Sequence, residues 1–220
     1  MLTKAELFDV YGKRARNYDF MSQVYYLFGF RLASYRERAV TALKLHHGAT
    51  VVDIACGTGA NFPLLQEAIG PEGRIIRVDL SDAMLAQARQ RVQERSWLNV
   101  ELIQSDAASY RFPADLDGII SSFAITLVPE FDAIIRDGHR ALLAGGRFVV
   151  LDFKMPSGWL SSFAPLGLFL TSPFGVSMDL ASRHPWESVA AYFGNIEMKE
   201  FYGGFAYAAV GVQKDINNVI

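Results

Sequence analysis

Three aspartates and one glycine turn carry the strongest chemical signal in this chain of 220 residues. The run VVDIACGTGAN, positions 51–61, is a short apolar stretch broken by Asp53 that turns through Gly57-Thr58-Gly59. A strand running into such a turn can hold a nucleotide cofactor, because glycine lets backbone and ligand approach closely. The details select among ligands. The dinucleotide fingerprint G-x-G-x-x-G needs its third glycine for close helix–strand packing, and here that position is Phe62. A phosphate-gripping loop needs Gly-Lys-Ser/Thr, which does not follow these glycines. Asp53 precedes the Ala55-Cys56-Gly57-Thr58-Gly59 turn, where its charge repels a pyrophosphate and suits an ammonium group. Asp79 lies twenty residues beyond Gly59, where a carboxylate can accept both hydroxyls of a ribose. Asp106 and the backbone of Ala107 can bond an adenine edge. An adenosine with a cationic amino-acid tail and no phosphate fits this set, and that ligand is S-adenosylmethionine.

Hydrophobic periodicity tells what must bring these residues together. Short apolar runs at 50–55, 74–79, 99–104, 118–123 and 147–153 predict buried strands. Helices are expected between them at 61–69, 82–95 and 130–143, with Ser81 capping the second and Gly145-Gly146 ending the third in a left-handed turn. A helix at 184–193, opened by Pro185, precedes two closing strands at 196–202 and 205–212 joined through Gly203-Gly204. Repeated strand–helix units imply an α/β fold, a Rossmann-like doubly wound sheet of about seven strands, mostly parallel with an antiparallel last strand. In such a sheet ligands bind beyond the carboxyl ends of the strands. The candidates meet that condition: Asp53 to Gly59, Asp79, Asp106, and Ser121, Ser122 and Phe123 each sit at the end of an expected strand. Residues 1–47 read as an N-terminal helical lid, with helices at 4–16 and 21–45, over a cofactor-binding core at 48–220.

One stretch interrupts that core. Positions 155–178 carry no charge and include Trp159, Phe163, Leu166, Phe169 and Phe174. Three prolines and three glycines argue against a single spanning helix, so the run is expected to be an apolar insertion, at about 155–180, that covers the site. A surface that dips into lipid, made with the N-terminal helices, is the second reading. With 21 basic and 23 acidic residues there is no basic field for nucleic acid. Cys56, the single cysteine, excludes an intrachain disulfide and reads as a packing residue. The charged N-terminus has no signal core, so the expected location is cytoplasmic, peripheral to the inner face of the membrane if the apolar surface touches lipid. No metal site is expected.

The segments DIACGTGAN, VDLSDAML, SDAASYRFP and LLAGGRFVVLDF, in this order, resemble class I S-adenosylmethionine-dependent methyltransferases. YGKRARNYDFMS and GGRFVVLDFKMP resemble in particular the ubiquinone/menaquinone-biosynthesis C-methyltransferases, and are similar to small bacterial phospholipid N-methyltransferases. The resemblance implies the backbone of Gly57 and Gly59 against the methionine part, Asp79 on the ribose, and Asp106 with Ala107 at the adenine. It also implies Met84 packed on the adenine side and Tyr18 closing over the cofactor. The expected cofactor-binding set is completed by Asp53, Ala55, Cys56, Asn61, Leu80, Ser121, Ser122 and Phe123. One departure bears on the acceptor. The quinone enzymes follow their fourth strand with Phe-Gly-Leu-Arg-Asn, and this chain reads Phe123-Ala124-Ile125-Thr126-Leu127.

Methyl transfer from a sulfonium needs alignment and exclusion of water more than a strong base, so a missing catalytic constellation is expected. The weak catalytic candidates are Tyr25, Tyr26 and His184, each with a packing or helix-start role as the plainer reading. His46-His47 read as a solvated turn and His139 as a surface residue. The expected activity is methyl transfer to a lipophilic small molecule, a phospholipid amine or a quinol ring carbon, with the missing arginine and asparagine leaning toward the amine. The other readings are a natural-product O-, N- or S-methyltransferase, a cofactor-binding regulator without turnover, and a nicotinamide oxidoreductase, against which Phe62 counts.

Overall fold

A computed structural model describes residues 26, 29–156, 180 and 182–214. The expected helix at 4–16, Tyr18, Tyr25 and all of the uncharged run beyond Pro156 lie outside the described residues. The chain runs α1 (Leu32–Ala42), β1 (Thr50–Ile54), α2 (Phe62–Ile69), β2 (Arg74–Asp79), α3 (Asp82–Glu94), β3 (Val100–Gln104) and β4 (Leu116–Ser122). It continues through a 3-10 turn (Ile125–Leu127), α4 (Phe131–Ala141), β5 (Leu142–Phe153), α5 (Pro185–Phe193), β6 (Glu197–Phe201) and β7 (Ala206–Val212). The seven strands form one sheet in the order β3-β2-β1-β4-β5-β7-β6. β7 runs antiparallel to β5 and β6, and the pairs among β1 to β5 are parallel. This is the Rossmann-like sheet that the strand–helix alternation implies.

Burial follows the period of two. Val51, Ile75, Ile120 and Val149 point into one core with Leu32, Tyr35, Ala39 and Val40 of α1 and Leu65 and Ile69 of α2. Val52, Ile76, Ile119 and Val150 point into the other, against Ile134 and Ile135 of α4 and Val189 and Phe193 of α5. α1 therefore packs on the sheet as part of its core. The outer strand β6 is exposed at Glu197, Met198, Lys199 and Glu200, and its charges guard a sheet edge.

The expected left-handed helix end at Gly145-Gly146 is not what forms. α4 stops at Ala141, its cap Leu142 is already extended, and β5 starts there. Gly145 N–H donates to Gln213 O and Gln213 N–H to Gly146 O, both at 2.8 Å, so pairing with the segment after β7 draws the glycines into the strand. The β4–β5 register jumps in consequence, from Leu116 opposite Leu142 to Gly118 opposite Arg147. Gly145 keeps φ +83°, now as the kink of a bulge. His139 also departs from expectation. It is half-buried, edge-on to Phe193 with ring centroids 4.7 Å apart, because α4 packs on α5, and burial lowers its pKa.

Candidate active site

A cleft of about 950 Å³, part of it open to solvent, runs along the carboxyl edge of β3, β2, β1 and β4. The first strand supplies its floor. After Ile54 the chain turns at Ala55, a non-glycine residue held at φ +53°, then through Gly57 at φ +55° and Gly59 at φ +84°. Ala55 in the left-handed region is strained, and such strain persists only where surrounding bonds hold it. They do: Cys56 N–H donates to Val78 O, Gly59 N–H to Cys56 O, and Phe62 N–H to Gly59 O, each at 3.1 Å. A side chain at Gly59 would run into the Phe62 ring, which is fully buried under the loop.

Asp79 ties the second strand to that loop. Its Oδ2 accepts Gly57 N–H at 2.7 Å and its Oδ1 accepts Ser81 N–H at 2.9 Å. Each oxygen keeps a further lone pair, which two vicinal hydroxyls can use. Burial raises its pKa, and the Ser81 and Gly57 amides oppose the rise by bonding the ionised form. Ser81 then caps α3 through Met84 N–H at 3.3 Å, which sets the buried Met84 on the cleft wall. At the end of β3, Asp106 Oδ1 accepts Ala108 N–H at 3.0 Å and shapes the turn that exposes Ala107 to the cleft.

These bonds test the ligand. The Gly57, Gly59 and Phe62 amides are spent inside the loop, so it is not a nest of donors for a pyrophosphate. The acids at Asp79 and Asp106 also repel phosphate. An adenosine with a positively charged sulfur suits this pattern of charge, and Asp79 at the end of β2 and Asp106 at the end of β3 are the residues that could hold its ribose and adenine. Neighbouring strands lie about 4.8 Å apart, so an extended ligand lying across their ends would meet β3, β2, β1 and β4 in turn.

The cleft brings together Ala55, Cys56, Gly57, Asp79, Leu80, Met84, Asp106, Ala107, Ser122 and Phe123 from the expected set. It does not bring in Asp53, Gly59, Asn61 or Ser121. Asp53 is fully buried, and Arg77 Nη1 donates to its Oδ2 at 2.6 Å while Asn61 Nδ2 donates at 3.0 Å. Arg77 is equally buried, its Cζ 3.1 Å from the Phe62 ring centroid, so Asp53 has an internal cation as its partner. Asn61 also donates to Ser122 Oγ at 3.1 Å and thus braces β1 against β4. Cys56 is buried with its thiol pushed well up by desolvation, which fits packing and not nucleophilic chemistry. Of the catalytic candidates, Tyr26 is 66% exposed. His184 caps the start of α5, where its Nδ1 lies 3.0 Å from Glu187 Oε1 and its ring stacks on Trp186, away from the cleft lining.

Arg36 and the apolar wall of Ala124, Leu127, Val128 and Pro129 escaped the sequence reading. Arg36 had a signal: it falls four residues after Leu32 and three before Ala39, a charge on the buried stripe of α1. The wall had none, because its place depends on how the chain leaves β4. Phe123 takes φ +57° there, its N–H donating to Leu151 O at 2.6 Å. Thr126 donates both N–H (3.0 Å) and Oγ1 (2.8 Å) to Asp152 Oδ2 of β5, and Arg183 Nη1 donates to Thr126 O at 2.7 Å. Phe123 and Ala55, the two strained residues of the cleft, end the adjacent strands β4 and β1.

Residues 2–167 match the ubiE/COQ5 methyltransferase family. The chain belongs to that family. The methyltransferase is 29% identical over 207 residues to the demethylmenaquinone methyltransferase of Listeria welshimeri, covering 90% of this chain and 86% of that protein. It is 28% identical over 211 residues to the demethylmenaquinone methyltransferase of Geobacillus kaustophilus, covering 93% and 89%. In fold it is similar to an S-adenosylmethionine-dependent methyltransferase of Aquifex aeolicus, with TM-score 0.60, 17% identity and coverage of 81% and 89%. Phosphoethanolamine N-methyltransferase 2 of Haemonchus contortus, in complex with S-adenosyl-L-methionine, shares the fold at TM-score 0.61 and 18% identity, covering 81% of this chain and 52% of that one. The enzyme is thus an S-adenosylmethionine-dependent methyltransferase, and the cleft is the candidate site for its cofactor.

Proposed function

We propose that the enzyme methylates a lipophilic small molecule, and that the acceptor is a quinol ring of the demethylmenaquinol class. The observation that carries this reading is the wall from Phe123 to Pro129. Phe123, Ala124, Leu127, Val128 and Pro129 line the cleft beside the tail end of the cofactor site, and none of them is ionisable. A flat, largely hydrocarbon acceptor loses little by leaving water against such a wall, whereas a protonated amine would lie there without a carboxylate. The names of the relatives support the ring.

When bound, S-adenosylmethionine supplies a methyl group on a positively charged sulfur that departs as a neutral thioether. The chain's own task is then positional. Asp79 and the Ala55 to Gly59 turn would hold the donor, the 123–129 wall would face the acceptor, and its apolar side chains would keep competing water away. A C–C bond would form at the ring as the methyl–sulfur bond breaks, and the ring proton would pass to solvent.

A second reading, a phospholipid amine, rests on Thr126 and Leu127. They stand where the quinone enzymes carry arginine and asparagine, so this wall lacks the polar pair that accompanies ring acceptors. Either acceptor resides in a membrane, and the enzyme would meet it at the inner surface. No described helix is long and apolar enough to cross a membrane. The test is methyl transfer from labelled S-adenosylmethionine to a reduced demethylmenaquinone in micelles and, separately, to phosphatidylethanolamine vesicles. A quinone extract heavier by one methylene is expected. Label in the phospholipid alone refutes the ring acceptor, and label in neither refutes a lipophilic acceptor of these two kinds.

A further inference from the structure

The cleft is asymmetric in charge. Its acids, Asp79 and Asp106, stand at the β2 and β3 end, and its one lining Lys or Arg among the described residues, Arg36, stands at the other. Arg36 enters from α1 and reaches the ends of β1 and β4, with Nη1 donating to Asn61 Oδ1 at 3.1 Å and Cζ 5.1 Å from the Phe123 ring centroid. Both neighbours are neutral. No carboxylate among the described residues lies within 4.0 Å of its guanidinium, although the cleft and its floor hold Asp53, Asp79 and Asp106. A guanidinium carries five N–H donors in a planar fork matched to two oxygens of one group, and Asn61 engages one of them.

Asn61 makes that placement rigid. Its Nδ2 donates to Asp53 Oδ2 and to Ser122 Oγ, which orients its oxygen toward Arg36. Phe123, held in its strained conformation by Leu151, stacks beneath the fork. The guanidinium is thus preorganised and half-buried, with no described carboxylate touching it, at the end of the cleft where an adenosine held by Asp79 and Asp106 would carry its amino-acid tail.

We propose that Arg36 binds an oxyanion, the α-carboxylate of the cofactor's amino-acid tail. The inference uses the cofactor and the strand order and is independent of the acceptor. A phospholipid phosphate offers the same chemistry, so the experiment separates the two sources. Calorimetry compares S-adenosylhomocysteine with its decarboxylated analogue, which keeps the adenosine, the thioether and the amine. The unaltered enzyme should bind the carboxylate form roughly tenfold to a hundredfold more tightly, as for one charge-assisted pair. In Arg36→Met that preference should collapse to near unity, with the analogue's affinity unchanged, and Arg36→Lys should restore part of it.

Equal weakening of both ligands in Arg36→Met would make the residue a general support of the cleft and overturn the proposal. A preference that survives the substitution would overturn it as well. If that survival came with a higher KM for phosphatidylethanolamine, the anion at Arg36 would be the acceptor's phosphate. The comparison of the two ligands on the unaltered enzyme needs no variant to fold, and the absence of any preference there is a third refuting result. Apart from that KM, the readouts are binding measurements that require no methyl acceptor, so failure of the quinol reading would leave them interpretable.

Discussion

Replacing Arg77 by methionine isolates the most strongly buried charge pair beneath the cofactor loop. Arg77 and Asp53 are both at 0% exposure, joined at 2.6 Å, and methionine replaces the guanidinium that lies over Phe62 with an unbranched apolar side chain. The substitution leaves a buried carboxylate with Asn61 Nδ2 as its remaining side-chain donor and with Oδ1 lacking a hydrogen-bond partner. Removing one member of a buried pair costs about 3–5 kcal/mol, which for a chain of this size lowers Tm by about 6–20 °C. The loss has a sign in pH. Burial already raises the Asp53 pKa, Arg77 opposes that rise, and without Arg77 it goes higher. The folded variant then retains a proton that the unfolded chain releases at about pH 4, so its stability falls as pH rises through the folded pKa. Denaturant melts at about pH 5 and about pH 8 should show a larger deficit at the higher pH. Adding Asp53→Leu should recover most of the loss, because an apolar pair removes the orphaned charge. A Tm within about 2 °C of the parent at the higher pH, or a double variant as unstable as the single one, would refute the pair as the organiser of the loop.

Two further outcomes follow from the cleft. Asp79→Ala should weaken S-adenosylhomocysteine binding by a hundredfold or more, because two charge-assisted bonds to the ribose at about 1.5–3 kcal/mol each are lost along with the clamps on Gly57 and Ser81; unchanged affinity in calorimetry removes Asp79 from the ribose. Asp152 is pushed up to about 6 by burial, against the donors of Thr126 and Phe153, so the folded state favours its protonated form by about 3 kcal/mol relative to the unfolded chain. That contribution is present below about pH 4 and is lost as pH rises to about 6. Asp152→Asn, which resembles the protonated form, should therefore gain up to about 3 kcal/mol near neutral pH and lose this slope, and parallel stability profiles of the two proteins would contradict the burial argument.

Most of the frame was legible along the chain. β2, 74–79, is read to the residue because its apolar run is bounded by a turn on one side and the Ser81 cap on the other. The end of α4 is not legible locally: Gly145 does carry a left-handed φ, but its partner is Gln213, 68 positions away, and no local pattern announces that bond. The role of Asp53 is hidden for a similar reason. A carboxylate at the end of a strand looks available until the neighbouring strand places Arg77 against it.

By itself the sequence determined the doubly wound sheet, the glycine turn and the identity of the methyl donor. These rest on periodicity, on the Gly57-Thr58-Gly59 turn, and on Asp79 and Asp106 each standing at the end of its own apolar run, all of them patterns that can be read along the chain. Only the tertiary structure decided what each charge faces. Asp53 is withdrawn into an ion pair, Arg36 is carried by α1 to the far end of the cleft, and Thr126 is pinned by Asp152 so that Leu127 and Val128 become its wall. The physical reason is that burial and pairing are set by neighbours across the sheet, which lie beside one another in space while dozens of positions apart in the chain.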